Sequence, residues 1–205
     1  MRKLLSDIVK NISFCNQIEK DAYTLLEYCG YKEIAEHSSR VAAEAEKLAI
    51  RFSIDSASAK TAGYLHDVGR VFPDNKSTNV AFELGIQILD EEHSCAGLLH
   101  QKISRVIASE LFGIKDSVIL DAIECHTTLK AQPSDVDLIL FIADKLSWDS
   151  SDSKLIVDGI LKGLQRSLEH GAFYYISYLC ENTNAIKALH PWTLEAYVDL
   201  KAKCV

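Results

Sequence analysis

Apolar residues recur every three or four positions along almost the whole chain, which is the spacing of an α-helix with one buried face. In the segment after His37, for example, one helical face would carry Val41, Ala45, Leu48, Ala49 and Phe52. The strict alternation of apolar and polar residues that marks a half-buried strand is absent. The sequence therefore predicts an all-α fold.

Capping and turn residues divide the first half of this pattern into helices. Ser56 is a candidate cap for a helix that runs toward Gly69, and Gly69 suits a C-terminal cap. A loop at residues 73–75 precedes a short predicted helix over about residues 79–89. Residues 91–94 then indicate a turn.

The middle of the chain contains three further predicted helices. One ends at Gly113, and the next is capped by Asp116 or Ser117. The third follows a break at residues 133–135 and runs from 136 to 148. Because this third helix is strongly apolar, we expect it to be buried.

The C-terminal part begins with a polar linker at residues 149–153. Its apolar period then predicts one long amphipathic helix, which passes through Gly163 and Gly171 and closes at residues 181–184. A final helix follows His190 and Pro191.

The net charge of −7 limits the partners of the protein. Binding to nucleic acid or to an acidic membrane surface rests on clustered Lys and Arg, so we expect neither. A phosphorylated substrate would need a local cation, and a bound metal ion is the obvious source.

Two features predict a cytoplasmic location. Asp7, Lys10 and Asn11 interrupt the apolar start of the chain, and no later stretch is apolar for long enough to cross a bilayer. The six cysteines form no CxxC pair and no secreted disulfide pattern, so we expect buried free thiols in a reducing compartment.

Six polar residues are predicted to point into the core. Helical spacing to apolar neighbours places one histidine on the buried face of each of four helices: His37, His66, His100 and His126. Asp144 follows Leu140 by one turn, and Asp67 follows His66 directly. Buried carboxylates are costly without cations or donors, and metal coordination would satisfy all six side chains together.

The ligand chemistry favours two transition-metal ions. Imidazoles and carboxylates suit iron, manganese, cobalt, nickel or zinc better than calcium, and six ligands are too many for one ion with an open position. Asp67 is the candidate bridge, because its two oxygens can reach two ions while His66 binds one. A water or hydroxide between the ions would be the nucleophile, which makes His66 and Asp67 the predicted catalytic pair.

The other three histidines serve as a contrast, because their settings do not suggest ligands. His93 lies in the predicted polar turn, His170 lies beside Glu169, and His190 precedes Pro191. We predict that none of them binds metal.

The order of these motifs resembles a known family. His37, then Leu-His-Asp-Val-Gly around His66 and Asp67, then Ile-Ala-Asp-Lys around Asp144 is similar to the HD superfamily of metal-dependent phosphohydrolases. Leu-Leu-His-Gln-Lys around His100 and Glu-Cys-His-Thr-Thr around His126 resemble its YqeK-like branch, the symmetrical diadenosine tetraphosphate hydrolases.

The resemblance implies a fold, a cofactor and a reaction. The fold would be an HD-domain helical bundle within a single domain, with a metal-binding core at about 20–150 and C-terminal helices at about 154–205 packed on it. The cofactor would be two irons, one held by His37, His66, Asp67 and Asp144 and the other by Asp67, His100 and His126. The reaction would be hydrolysis of diadenosine tetraphosphate to two ADP.

Four further residues are candidates for holding the phosphates of the substrate: Arg70, Thr127, Thr128 and Lys130. The alternative for Arg70 is a surface cation at a helix end, and Lys130 can equally be a solvated loop charge. The sequence departs from the branch at Gln101, where glycine is usual, and at residues 145–148. Both departures lie where substrate would be held, so they leave the substrate open.

Other functions remain open on the sequence alone. The ligand set also fits another HD nucleotidase or phosphodiesterase, and the fold can serve as a non-enzymatic nucleotide sensor. The aromatic residues of the stretch 173–178 fit a core stripe better than an interface, although a homodimer is possible.

Overall fold

The computed structural model describes residues 2–148, 154–182 and 189–205, and within these ranges it contains α-helices, two short 3₁₀ helices and no strand. The α-helices are α1 (Lys3–Val9), α2 (Ile18–Tyr28), α3 (Lys32–Arg51), α4 (Ser56–Leu65), α5 (Asp74–Glu83), α6 (Asp90–Ser94), α7 (His100–Glu110), α8 (Ser117–Cys125), α9 (Asp135–Leu146), α10 (Lys154–Gly163), α11 (Leu168–Glu181) and α12 (Pro191–Cys204). The 3₁₀ helices are Val68–Val71 and Ala96–Leu99. The all-α prediction is confirmed. No helix in the described ranges has the length and apolar character needed to span a membrane.

Helix α9 is the central element of the bundle. Every residue from Val136 to Lys145 is buried, as the strongly apolar sequence of this segment predicts. Ser134 caps the start of the helix, and its hydroxyl accepts the backbone N–H of Asp137 in a capping box. Helices α3, α4, α8 and α11 all pack against α9. Asp144, near its C-terminal end, therefore lies inside the bundle.

Helices α3 and α4 cross at very short range. An added Cβ at Gly63 would lie 2.5 Å from the Cα of Ala42, so only glycine permits this approach. The crossing brings the N-terminal half of α3, which carries His37, beside the end of α4, which leads into His66 and Asp67.

The predicted bounds of α4 need correction at both ends. Asp55 caps the helix by accepting the backbone N–H of Ala57, and Ser56 is the first helical residue. The helix stops at Leu65, and the 3₁₀ helix that follows contains Gly69. Gly69 is there for close packing rather than as a cap, because an added Cβ would lie 2.5 Å from the carbonyl oxygen of His100.

The segment 73–95 also differs from the prediction. Helix α5 begins directly after Pro73 and ends before Gly85, which has a positive φ of 63°. The predicted turn at 91–94 is helical, because α6 occupies it. The carboxylate of Glu92 stabilises the start of α6 by accepting the backbone N–H of Leu89 at 2.8 Å.

The predicted long C-terminal helix is two helices. Helix α10 ends at Gly163, and α11 starts after Ser167, whose hydroxyl accepts the backbone N–H of His170. The local cap overrides an apolar period that continues across the break. The caps predicted at Asp116 and the start of α12 after His190 are confirmed. The predicted linker at 149–153 and most of the closure at 181–184 lie outside the described residues.

The cysteines are only partly as predicted. All six are free, but Cys125 alone is buried, whereas Cys15 is exposed and the other four are half-buried. The apolar residues around a cysteine did not predict how far its side chain is buried, because burial depends on how the helices pack against one another.

Candidate metal centre

Six side chains from separate parts of the chain meet at the C-terminal end of α9. They are His37 on α3, His66 and Asp67 after α4, His100 at the start of α7, His126 after α8 and Asp144 on α9. The Nε2 atom of His37 lies 3.0 Å from Oδ1 of Asp144, and the Nε2 atom of His66 lies 3.8 Å from that same oxygen. The structure therefore brings together all six predicted metal ligands.

Three of these histidines lie at helix ends and share one local geometry. The Nδ1 atom of His66 is 2.8 Å from the carbonyl oxygen of Gly63, three residues earlier. His100 and His126 repeat this contact with the carbonyl oxygens at positions 97 and 123, at 2.6 and 2.8 Å. A carbonyl only accepts, so each Nδ1 carries the proton and each Nε2 keeps its lone pair. This is the tautomer that binds a metal through Nε2.

The donor atoms are left in an arrangement that fits a metal. The Nε2 atoms of His100 and His126 lie 3.0 Å apart, and both point lone pairs at each other when each Nδ1 is protonated. Among the described residues, the buried Nε2 of His66 has no hydrogen-bond partner. Such atoms are costly in a protein interior, and bound cations would satisfy them.

The donors fall into two groups that share one carboxylate. One group is His37, His66 and Asp67, and the other is Asp67, His100 and His126, with the donor atoms of each within 4.8 Å of one another. The Oδ1 atom of Asp67 lies 3.2 Å from Nε2 of His100 and 3.7 Å from Nε2 of His126, while its Oδ2 lies 3.6 Å from Nε2 of His66. Nitrogen and oxygen donors of this kind suit a divalent transition metal.

Burial keeps two histidines of the cluster, His66 and His126, neutral. It lowers the pKa of His66 to about 4, and it also lowers the pKa of His126. Both imidazoles are therefore unprotonated at neutral pH, which is the form that binds metal.

The two carboxylates are ionised despite being buried. Burial alone would raise the pKa of Asp67, but His66 and the Arg70 guanidinium outweigh it and hold that pKa well below its usual range. Burial likewise opposes ionisation of Asp144, but the Lys145 ammonium and the hydrogen bond with His37 lower the pKa of this carboxyl. The cluster therefore presents anionic oxygens beside neutral imidazoles.

A cavity of about 340 Å³ opens onto this cluster. Arg70 and Thr127, two of the four residues proposed from the sequence to hold phosphate, line it. Arg70 lies in the last turn of the 3₁₀ helix Val68–Val71, and its Nε atom donates to Oδ1 of Asp67 at 2.8 Å, which ties this cation to the cluster. The hydroxyl of Thr127 lies 3.1 Å from Nε2 of His100.

The structure does not bring Thr128 and Lys130 to this cavity. Thr128 is buried, and its hydroxyl donates to the carbonyl oxygen of Leu129 at 3.0 Å. The ammonium of Lys130 lies 3.1 Å from a carboxylate oxygen of Asp137, which is itself buried. Both side chains are therefore engaged with the protein, away from the cluster.

Comparison with known proteins identifies the family. The model of the HD domain family matches residues 34–149, which is more than half of the chain and includes all six clustered residues. The chain belongs to the HD domain family. The resemblance seen in the sequence is thereby confirmed.

Three relatives of this HD domain are informative. A Lactococcus lactis subsp. cremoris protein described as "Uncharacterized protein in pepC 5'region" is 43% identical over 148 residues, which cover 72% of this chain and 75% of that protein. A Staphylococcus aureus protein described as a symmetrical bis(5'-nucleosyl)-tetraphosphatase is 34% identical over 110 residues, or 53% of this chain and 55% of that protein. A crystal structure from Clostridium acetobutylicum, described as a predicted HD superfamily hydrolase involved in NAD metabolism, has a TM-score of 0.81 at 26% identity and covers 94% of this chain and 100% of its own.

Lys145 is a residue of this HD domain whose role the sequence did not reveal. Its buried ammonium donates to Oδ2 of Asp144 and to the carbonyl oxygen of His126, both at 2.8 Å. The same ammonium lies 4.4 Å from the ring centroid of Phe141, a cation–π contact. The available signal was a lysine inside an apolar segment predicted to be buried, directly after a predicted ligand.

Gln101 occupies the position where the related branch usually has glycine. The side chain is fully buried between α7 and the segment after α8. Its Oε1 accepts the backbone N–H of Thr127 at 3.2 Å, and its Nε2 donates to the hydroxyl of Thr128 at 3.2 Å. Gln101 therefore holds Thr127 beside His100, and the departure from glycine leaves the cluster intact.

The remaining histidines lie apart from the two donor groups. His93 is exposed on α6. His170 contacts the hydroxyl of Ser167, and the buried Nε2 of His190 lies 3.3 Å from a carboxylate oxygen of Glu92. Neither donor group found among the described residues includes any of the three.

Proposed function

We propose that this HD-domain protein is a cytoplasmic metal-dependent phosphohydrolase that cleaves diadenosine tetraphosphate symmetrically into two ADP. The observation that carries the proposal is the pair of donor groups that share Asp67 beside an open cavity. Two ions held by these groups would suit displacement at phosphorus, because a metal pair can stabilise both the attacking and the leaving oxygen. The named relative from Staphylococcus aureus supports this choice of substrate.

The residues of the chain divide into three roles under this proposal. His37, His66, Asp67 and Asp144 hold one ion, and Asp67, His100 and His126 hold the other. Iron is the metal we expect, and two bound ions would supply Lewis acidity and an activated water for attack on phosphorus.

Arg70 and Thr127 orient the polyphosphate. The guanidinium of Arg70 offers several N–H donors in a plane, which suits two oxygens of one phosphate. It is fixed at the rim of the cluster by Asp67, and the hydroxyl of Thr127 is close by at His100. The proposal leaves out Thr128 and Lys130, since both are engaged elsewhere.

Burial shields three imidazoles of the cluster from bulk water. His66, His100 and His126 are each at most 2% exposed. Charges interact more strongly in such a setting than in water. ADP is a good leaving group, and the proposal therefore assigns no general acid.

Metal analysis and product analysis together test the proposal. The protein is purified with and without oxygen, its metal content is measured, and diadenosine tetraphosphate, dinucleoside triphosphates, nucleoside monophosphates and cyclic dinucleotides are offered as substrates. We expect about two irons per chain and two ADP per tetraphosphate. Turnover of monophosphates or cyclic dinucleotides alone would indicate another nucleotidase or phosphodiesterase. Tight nucleotide binding by metal-loaded protein without any hydrolysis would indicate a sensor.

A further inference from the structure

Trp148 stands at the border between two cavities. It lies two residues after the end of α9 and lines the cavity at the metal centre, where its ring packs edge-on against Tyr175 with the centroids 5.7 Å apart. It also lines a second cavity of about 370 Å³. One aromatic side chain is thus a wall of both spaces.

The second cavity, which we call the outer groove, runs along α3 away from His37. It is formed by Arg40, Lys47, Trp148 and the end of α9. Arg40 lies about one helical turn beyond His37, and Lys47 lies two turns further. The ammonium of Lys47 is held 3.1 Å from a carboxylate oxygen of Glu44, so this acidic residue is already paired.

A third cavity borders the metal-centre cavity toward the start of α3. Ile34 lines both the metal-centre cavity and this third cavity, whose volume is about 660 Å³. Along α3 the order is therefore third cavity, metal centre and outer groove. This layout places the six clustered residues between two spaces.

We propose that the outer groove binds one nucleoside of a dinucleoside polyphosphate, with its base stacked on Trp148, while the rest of the substrate extends past the metal centre toward Ile34. The inference rests on the function proposed above and adds a subsite to it. A substrate that is cut at its middle needs room on both sides of the reacting phosphate. The 340 Å³ cavity is near the lower end of the range of about 300–1,000 Å³ for small-molecule pockets, and it is small for two nucleosides and four phosphates.

The chemistry of the outer groove fits a nucleoside. Bases of any sequence stack on aromatic side chains, and the indole of Trp148 offers the largest such surface beside the cluster. Arg40 adds positive charge on the side of the groove that is nearer to His37, whereas Lys47 lies further away and is paired with Glu44. The aromatic wall thus fits the base, and Arg40 lies on the side toward the polyphosphate.

A matched pair of single-tryptophan variants tests the inference by binding. The chain has two tryptophans, so Trp192→Phe leaves only Trp148, and Trp148→Phe leaves only Trp192. Trp192 lies over the ammonium of Lys102, on a different cavity. The metal-loaded proteins are titrated with a diadenosine tetraphosphate analogue whose central bridging oxygen is replaced by methylene. We expect fluorescence quenching in Trp192→Phe and none in Trp148→Phe, and equal quenching in both or none in either overturns the inference.

Kinetics provide a second readout that separates this inference from the proposed function. Trp148→Ala is expected to raise KM for diadenosine tetraphosphate about tenfold, the order of one lost stacking contact, and Trp148→Phe to restore most of it. Adenosine tetraphosphate has a single nucleoside that can occupy the opposite side, so its KM should change little. An unchanged KM for the dinucleotide overturns the outer groove alone. A wild-type protein that hydrolyses neither compound contradicts the proposed function, and the fluorescence titration then decides whether the groove still binds a nucleoside.

Discussion

Asp67 belongs to both donor groups, so its removal should affect both metal sites at once. Its Oδ2 lies near Nε2 of His66 in one group, and its Oδ1 lies near Nε2 of His100 in the other. Among the described residues, Asp67 is the member that the two groups share. We expect Asp67→Ala to lose both ions and all hydrolysis, as measured by metal analysis after dialysis. The control is His93→Ala, because His93 is exposed and lies outside the two groups. Near-normal metal content in the Asp67 variant would refute the bridging role.

Arg70 should affect substrate rather than metal. In the structure it is anchored on Asp67, but it contributes no coordinating atom because guanidinium only donates hydrogen bonds. We expect Arg70→Ala to keep its metal and to raise KM about tenfold to a hundredfold, the order of one lost hydrogen bond between charged groups. Steady-state kinetics at several substrate concentrations measure this. A variant with normal KM but lost metal would assign Arg70 to the metal centre instead.

Lys145 stabilises the Asp144 carboxylate together with His37 when no metal is bound. Removing one partner of a buried ion pair leaves an uncompensated charge, which typically costs about 3–5 kcal/mol. We therefore expect Lys145→Met to lower the free energy of unfolding of chelator-treated protein by roughly that amount, measured by urea denaturation. Lys203→Met is the control, since Lys203 pairs with Asp199 at the surface. Equal stabilities of the two variants would show that Lys145 does not support Asp144.

The six metal-ligand candidates could be predicted from the sequence. Five of them lie on the apolar face of a predicted helix, and Asp67 directly follows one of these five. Lys145 and Gln101 could not, because the value of a buried lysine or glutamine depends on partners on other helices. The same limit explains Thr128 and Lys130, whose nearness to His126 in the chain says nothing about the direction of their side chains.

At the scale of the elements, the histidines lie where helices end. The apolar period predicted His66, His100 and His126 on helical faces, whereas the structure places them at the end of α4, the start of α7 and the end of α8. The apolar period of the sequence can continue past the end of a helix, so it does not show where the helix ends. The break between α10 and α11 was missed for the same reason, since a cap at Ser167 decides it. A predicted cap located the start of α8, and proline-containing breaks located the starts of α9 and α12 to within one residue, because caps and breaks are local signals.

A substitution at Gly69 tests whether the close packing of the 3₁₀ helix after Asp67 against α7 is required. An added Cβ would lie 2.5 Å from the carbonyl oxygen of His100 and 2.8 Å from the backbone nitrogen of Ser104, neither of which can move freely. We expect Gly69→Ala to lower the free energy of unfolding by about 1–3 kcal/mol and to weaken the metal group that contains His100. Gly85→Ala is the control, because Gly85 has a positive φ but no atom within 4 Å of an added Cβ. It should cost about 1–2 kcal/mol and leave metal content unchanged. Normal metal content in Gly69→Ala would mean that the segment tolerates displacement.

At the scale of the whole molecule, the metal centre joins helices that are distant in the chain. Its residues come from α3, the segment after α4, α7, the segment after α8 and α9, so the cluster forms only when the bundle is assembled. The order of the motifs could be predicted, but the way in which Gly63, Gly69 and Gln101 bring the helices together could not. Without metal, neutral imidazoles and anionic carboxylates remain inside the bundle. The stability of the metal-free protein should therefore depend on pH.

The sign of this dependence follows from the direction of the pKa shifts. The pKa of His66 is about 4 in the fold and about 6.5 when unfolded, so between these values the unfolded chain binds a proton that the fold excludes. The stability that the metal-free protein has above pH 6.5 is thus lost as pH falls toward 4, by about 3 kcal/mol from His66 alone. His126 acts in the same direction, and the lowered pKa values of Asp67 and Asp144 extend the loss to more acidic pH. Urea denaturation of chelator-treated protein at pH 7 and pH 5 measures the effect, with His93→Gln as an exposed control. In the metal-loaded protein the loss of stability at low pH should be steeper, because protons compete with the metal for the same nitrogens. Equal stability of the chelator-treated protein at pH 7 and pH 5 would contradict the burial of neutral histidines.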